Sequence, residues 1–173
     1  SYDAFFVKFL ADSLREHPEL NAVIDQDAVL LLEEINVGFA LAVPSGLVVP
    51  VVHNAATISL TDIAERVKEL RKRALAGQLR SEDVMGGTAT ISNLGAYGVD
   101  AFTPILNPPE SVVLGVGRIA ERAIVRGGNL IAAPTCMLSL TFDHRVTDGV
   151  PAAQLLGAVA QCMTDSEYLS GLN

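Results

Sequence analysis

Apolar residues recur along this chain with two different periods. From Tyr2 to His17, Phe5, Phe6, Phe9, Leu10 and Leu14 share one face, while Lys8, Asp12 and Arg15 lie off it. That spacing predicts an amphipathic helix, and Pro18 stops it. From Thr61 to Ala76, Ile63, Val67, Leu70 and Ala74 repeat at helical spacing among Asp62, Glu65, Lys68, Lys72 and Arg73. Ser59 is placed to cap this second helix, with Asp62 three positions on, and Gly77 to end it. A third helix is expected from about Pro151, a favoured first-turn residue, to Met163.

Between the helices the pattern shortens to strand length. Ala28 to Leu32 and Val37 to Val43 are apolar runs, and Leu47 to Val52 follows the turn Pro44-Ser45-Gly46, so a hairpin is expected there. Thr88 to Ser92, Ser111 to Val116, Ala123 to Val125, Leu130 to Ala132 and Cys136 to Phe142 read as further strands, with a tight turn at Gly127-Gly128-Asn129. Gly95 to Pro109 reads as loop. Helices mixed with hairpins and longer connections predict an α/β fold with a mixed sheet.

Composition narrows the function. Half of the 173 residues are apolar, enough for a sizeable core, and no apolar run approaches the length of a membrane span. The segment Ser1 to Leu20 carries charges throughout and does not read as a secretory signal. A net charge of −8 argues against a nucleic-acid partner. Cys136 and Cys162 form no C-x-x-C pair and read as reduced thiols.

The chemistry concentrates in Phe142-Asp143-His144-Arg145-Val146-Thr147-Asp148-Gly149, between a strand and a helix. An imidazole there suits proton transfer near neutral pH. A structural histidine among ion pairs fits the residue types equally well. Ser92, ending a strand before Asn93-Leu94-Gly95, is either an oxyanion donor or a turn residue; it lacks the G-x-S-x-G setting of a hydrolase nucleophile. Gly115-Val116-Gly117-Arg118-Ile119-Ala120 mimics a dinucleotide fingerprint, but a hairpin follows it rather than a long helix. No second His or Cys stands near His144, so no metal is expected. The basic run Arg66, Lys68, Arg71, Lys72, Arg73 and Arg80 reads as a solvated face.

Six segments in order carry a resemblance. They are His17-Pro18-Glu19-Leu20-Asn21, Gly46-Leu47-Val48-Val49-Pro50-Val51, Gly86-Gly87-Thr88, Ile91-Ser92-Asn93-Leu94-Gly95, Ile105-Leu106-Asn107-Pro108-Pro109 and Asp143 to Gly149. Together the chain resembles the catalytic domain of the dihydrolipoamide acyltransferases of 2-oxo acid dehydrogenase complexes. The resemblance implies a chloramphenicol acetyltransferase-like fold, a two-layer sandwich with a mixed β-sheet and helices on one face. It implies acyl transfer between a dihydrolipoyl thiol and coenzyme A, with His144 as general base and Ser92 as oxyanion donor. Asp148 would tie its loop down through an arginine near the domain's start. The lipoyl group would ride on a separate domain. The partners implied are two further copies in a homotrimer, a larger core, and decarboxylase and dihydrolipoamide dehydrogenase components. The location implied is bacterial cytoplasm or mitochondrial matrix.

Residues 1–173 are expected to form the acyltransferase domain without the family's usual opening helix and strand, its lipoyl domain or its subunit-binding domain. The arginine expected for Asp148 falls in that opening, so Asp148 is expected to turn into water or recruit another cation. Succinyl-transferring members usually carry glycine where Leu94 stands, which favours an acetyl or branched-chain group. Two alternatives stay open: a structural core without turnover, and a stand-alone coenzyme A-dependent acetyltransferase acting on a small hydroxylated molecule.

Overall fold

The computed structural model describes residues 2–172. Helix α1 spans Tyr2–Glu16. Strands β1 (Ala22–Asp25) and β2 (Ala28–Leu31) form a hairpin. Strands β3 (Val37–Phe39), β4 (Leu41–Val43), β5 (Gly46–Val48) and β6 (Val51–Val52) precede helix α2 (Leu60–Leu75). Strands β7 (Ala89–Asn93), β8 (Val112–Val116), β9 (Ala120–Arg126), β10 (Asn129–Thr135) and β11 (Leu138–Phe142) follow. Helices α3 (Gly149–Cys162) and α4 (Ser166–Ser170) close the chain.

The main sheet has the order β11-β8-β7-β3-β6. Its centre, β3-β7-β8, is parallel; β11 and β6 join antiparallel at the edges. This is the mixed sheet expected. Every residue of β8 is buried, as a central strand covered on both faces requires. Helix α1 packs on β3 and β7, α3 on β11, and α2 beside α1 against β4 and β6. The core is aliphatic with Phe6, Phe9 and Phe39, all buried.

The second helix follows its sequence signals closely. The Ser59 hydroxyl accepts the Asp62 backbone N–H at 3.0 Å, and Gly77 takes φ +66° just beyond the end. The apolar run 37–43 does not form one strand. Its first part ends at Phe39, where the Ala40 N–H donating to the carbonyl of Ile91 at 2.8 Å forms the last rung of the parallel ladder of β3 on β7. Opposite it, Pro50 has no N–H to give and accepts from Phe39 through its carbonyl at 2.9 Å. The expected hairpin is therefore two short ladders, β4 on β5 and β3 on β6. The β9–β10 arm is longer than its apolar runs, and its turn is Gly127-Gly128, both at positive φ, which matches the twist of a two-residue hairpin. Strand β1 and helix α4 had no clear sequence signal.

Candidate active site

Strand β11 leads directly into the histidine loop. After Phe142, the Asp143 N–H still donates to the Ser111 carbonyl at 2.9 Å. The Asp143 carbonyl then accepts from Val146 and Thr147, so the chain folds into a tight turn that stops where α3 begins at Gly149. His144 stands at the apex, with 71% of its side chain exposed. The Phe142 ring backs it at a centroid distance of 4.9 Å. Its Nδ1 lies 3.7 Å from Oδ1 of Asp148, beyond ordinary hydrogen-bond reach.

Asp148 is in water, with 91% of its side chain exposed. Among the described residues its one ion pair is with His144. No arginine pairs with Asp148 among the described residues. Arg145 does not stand in, because its guanidinium is engaged by Asp143 at 2.7 Å. Asp148 sits at the N-cap of α3 but makes no side-chain capping bond.

Ser92 is half-buried on β7. Ala89 and Ile91 face the helices, so Thr90 and Ser92 occupy the opposite face by strand alternation. Ser92 is level with Gly115 of β8, and Gly115 with Ser139 of β11. Asp143 sits opposite Ser111, four residues further along. Two strand spacings across and four residues along put Ser92 and the histidine loop roughly 16 Å apart at the backbone. The fold thus brings His144 and Asp148 together and keeps Ser92 of the same chain away from them.

Beside Thr90, two residues before Ser92 on β7, lies a polar group without a sequence signal. Glu110 is 5% exposed and faces no cation. Its carboxylate accepts from the Thr90 hydroxyl at 2.6 Å and from the Asn107 amide at 2.9 Å. Burial pushes the Glu110 carboxyl above its ordinary range, and the two hydrogen bonds only partly oppose this. Burial also pushes the Cys136 thiol up, the opposite of what an activated nucleophile needs. The basic run is not merely solvated: Arg71 pairs with Asp3, while Arg73 and Arg80 share the buried Asp83.

Residues 1–170 match the family model for the 2-oxoacid dehydrogenases acyltransferase catalytic domain, and the chain belongs to that family. It is 40% identical over 171 residues to the dihydrolipoyllysine-residue acetyltransferase component of the pyruvate dehydrogenase complex of Bacillus subtilis, covering 98% of this chain and 39% of that protein. It is 41% identical over 166 residues to the mitochondrial succinyltransferase component of the 2-oxoglutarate dehydrogenase complex of Bos taurus, covering 95% of this chain and 36% of that protein. The chain thus spans about two-fifths of the length of these relatives.

A probable dihydrolipoamide acetyltransferase from Listeria monocytogenes superposes with a TM-score of 0.93 at 33% identity, covering 100% of this chain and 74% of that one. The cubic core of a pyruvate dehydrogenase multienzyme complex gives 0.91 at 32%, covering 95% and 69%. A dihydrolipoamide acetyltransferase from Azotobacter vinelandii, studied for a serine, a histidine and an asparagine in its catalytic mechanism, gives 0.91 at 33%, covering 95% and 69%. A chloramphenicol acetyltransferase, at 0.54 and 18% identity over 92% of this chain and 76% of that one, shares the fold.

The raised Glu110 carboxyl gives a stability prediction. An acid whose folded pKa exceeds its unfolded one binds more protons when folded, so its contribution to stability falls as pH rises through the folded value. Urea midpoints of the protein and of Glu110→Gln, compared from about pH 4 to about pH 8, should therefore diverge, with the unsubstituted protein losing ground as pH rises. A constant difference would mean that Glu110 titrates as an ordinary carboxylate.

Proposed function

We propose that this chain catalyses acyl transfer between a dihydrolipoyl thiol and coenzyme A, as the acyl-transferring part of a 2-oxo acid dehydrogenase complex. The observation that carries the reading is His144 presented at the apex of a tight turn, backed by Phe142 and facing Asp148, in a chain of this family. The serine, histidine and asparagine studied in the Azotobacter vinelandii enzyme are spaced as Ser92, His144 and Asp148 are here. Asp148 stands at the asparagine's place. Both residue types carry a side-chain oxygen that can accept a hydrogen bond, so we assign Asp148 a positioning role toward Nδ1, which leaves Nε2 as the base.

His144 takes the proton of the coenzyme A thiol, because a free thiol is mostly protonated at neutral pH and only the thiolate is nucleophilic. The thiolate adds to the carbonyl of the acyl-dihydrolipoamide thioester. Ser92 donates a hydrogen bond to the oxyanion of the tetrahedral intermediate. Collapse breaks the bond to the dihydrolipoyl sulfur, which leaves as a thiolate and takes the proton back from His144. The lipoyl group is carried on a separate domain, coenzyme A is the second substrate, and no metal enters.

The roughly 16 Å between Ser92 and the histidine loop supports a site shared between copies, with Ser92 from one chain and His144 from its neighbour. A homotrimer supplies such a contact at each interface, and the Asp148–His144 face, open to water in one chain, becomes enclosed there. Trimers assemble into a larger core served by decarboxylase and dihydrolipoamide dehydrogenase components, in bacterial cytoplasm or mitochondrial matrix. The acyl group favoured by Leu94 is acetyl or branched-chain.

In an assay of acetyl transfer from acetyl-coenzyme A to dihydrolipoamide, His144→Ala should lower turnover by roughly two to four powers of ten in a folded protein. Near-normal turnover would take His144 out of the mechanism. Ser92→Ala should lower kcat by roughly two to three powers of ten with KM little changed, as for one lost oxyanion donor. A loss confined to KM would make Ser92 a ground-state contact.

Co-refolding His144→Ala chains with Ser92→Ala chains should regenerate intact sites at mixed interfaces and restore part of the activity. Proven subunit exchange without recovery would place both residues in one chain.

A further inference from the structure

His144 is flanked by opposite charges that hold each other. The Asp143 carboxylate, only 16% exposed, accepts the Arg145 backbone N–H at 2.9 Å, Arg145 Nε at 3.0 and 3.2 Å, and an Arg145 terminal N–H at 2.7 Å. The residues before and after the imidazole are thus joined to one another, and the turn between them has little freedom left. We propose that Asp143 and Arg145 form a bracket that aims His144 and affects the transfer only through that imidazole. The inference rests on the reading of His144 as the base.

The bracket is rooted in the core. Asp143 continues the pairing of β11 through the carbonyl of Ser111, and Ser111 is 1% exposed with its hydroxyl donating to the Leu20 carbonyl at 3.1 Å. The charge of Asp27, in the β1–β2 turn, also favours the Arg145 guanidinium. The fork geometry is specific to arginine, since two parallel N–H groups meet two carboxylate oxygens.

Magnitudes separate aiming from stabilising. Arg145 is 67% exposed, and exposed ion pairs add little to folding stability. Displacement of a general base by about an ångström, by contrast, costs roughly a hundredfold in rate. The same pair that hardly matters to folding is therefore decisive for the direction of the ring. Phe142 behind the ring and Asp148 beside it limit the tilt of the imidazole, while the bracket limits where its Cα stands.

The test is a mutant cycle in the assembled protein, using acetyl transfer to dihydrolipoamide. Arg145→Ala and Asp143→Asn should each lower kcat by roughly tenfold to a hundredfold with KM little changed. Their double variant should lose no more than the worse single, because they act as one unit. Arg145→Lys, which keeps the charge but not the fork, should recover only part of the rate, and it serves if the alanine variant does not assemble. The deciding measurement is Arg145→Ala added to His144→Ala. A group that acts only through His144 should cause no further loss there. A further loss would give Arg145 a role of its own and overturn the bracket. So would wild-type kcat in Arg145→Ala and Asp143→Asn while His144→Ala is inactive. Full activity in His144→Ala would instead sink the reading of the base, and the bracket with it.

Discussion

Strand β8 is the ruler of this structure. It pairs in parallel with β7 on one side and antiparallel with β11 on the other, so its register sets both the height of Ser92 and the point where the chain leaves for His144. A slip of one residue would turn Ser92 toward the helices and Ile91 away from them. The strand is held in place by its own smallness. A Cβ at Gly115 would lie 2.4 Å from the Ser139 hydroxyl and 3.1 Å from Pro104, and one at Gly117 would lie 1.9 Å from the Asp100 carbonyl. These gaps let the segment before Asn107 lie flat on the sheet, where the Ser139 and Thr141 hydroxyls donate to the carbonyls of Phe102 and Pro104 at 2.6 Å each. The sheet face that carries Ser92 is thereby built from small and hydroxyl side chains rather than from apolar bulk.

Charge is handled locally. The chain carries −8 overall, which works against a polyanionic substrate at long range, and most of its arginines near the sheet ends are already committed to carboxylates. Arg118 and Arg122 share Asp100, and Arg73 and Arg80 share Asp83. These pairs fix loops rather than present free positive charge. Any attraction for phosphate groups has to come from cations that such pairing leaves free, or from a face assembled out of more than one chain.

Legibility in the sequence followed the locality of the forces. Helix α2 was readable to within a residue because its stripe, its Ser59 cap and its Gly77 stop all lie within twenty positions and agree. Strands β7, β8 and β11 were readable for the same reason. The end of β3 at Phe39 was not, because it is set by where the parallel pairing with β7 stops, some fifty residues away. Strand β1 is short and its apolar signal overlaps the turn after α1, while α4 is held by long-range contacts such as the Tyr168 hydroxyl donating to Asp12 at 2.8 Å. At the site, His144 and Ser92 stood out by residue type and by the order of motifs. Glu110 and the Phe142 ring did not, since nothing in spacing alone says that a carboxylate is buried or that a ring turns back. The Asp143–Arg145 pair had a signal, opposite charges on either side of a histidine, but a turn tight enough to join them had to be seen.

Asp148 shows how a residue at a helix start is divided between two uses. The N-cap position of α3 would reward a side-chain oxygen turned back onto the first free N–H groups, by about 1 kcal/mol for an aspartate. Here that bond is not made, and the carboxylate stands in water with one oxygen 3.7 Å from Nδ1 of His144. The helix loses little electrostatically, because a negative charge anywhere near its N-terminus is favoured by the helix dipole. Gly149 and Val150, which carry its first N–H groups, are exposed in the single chain, so those groups reach water without the cap. The cap is thus the cheaper of the two interactions to give up. Pro151, three residues on, has no N–H to satisfy, which lowers the demand on the cap further. A loop whose helix start does not need its aspartate leaves that carboxylate uncommitted beside the imidazole.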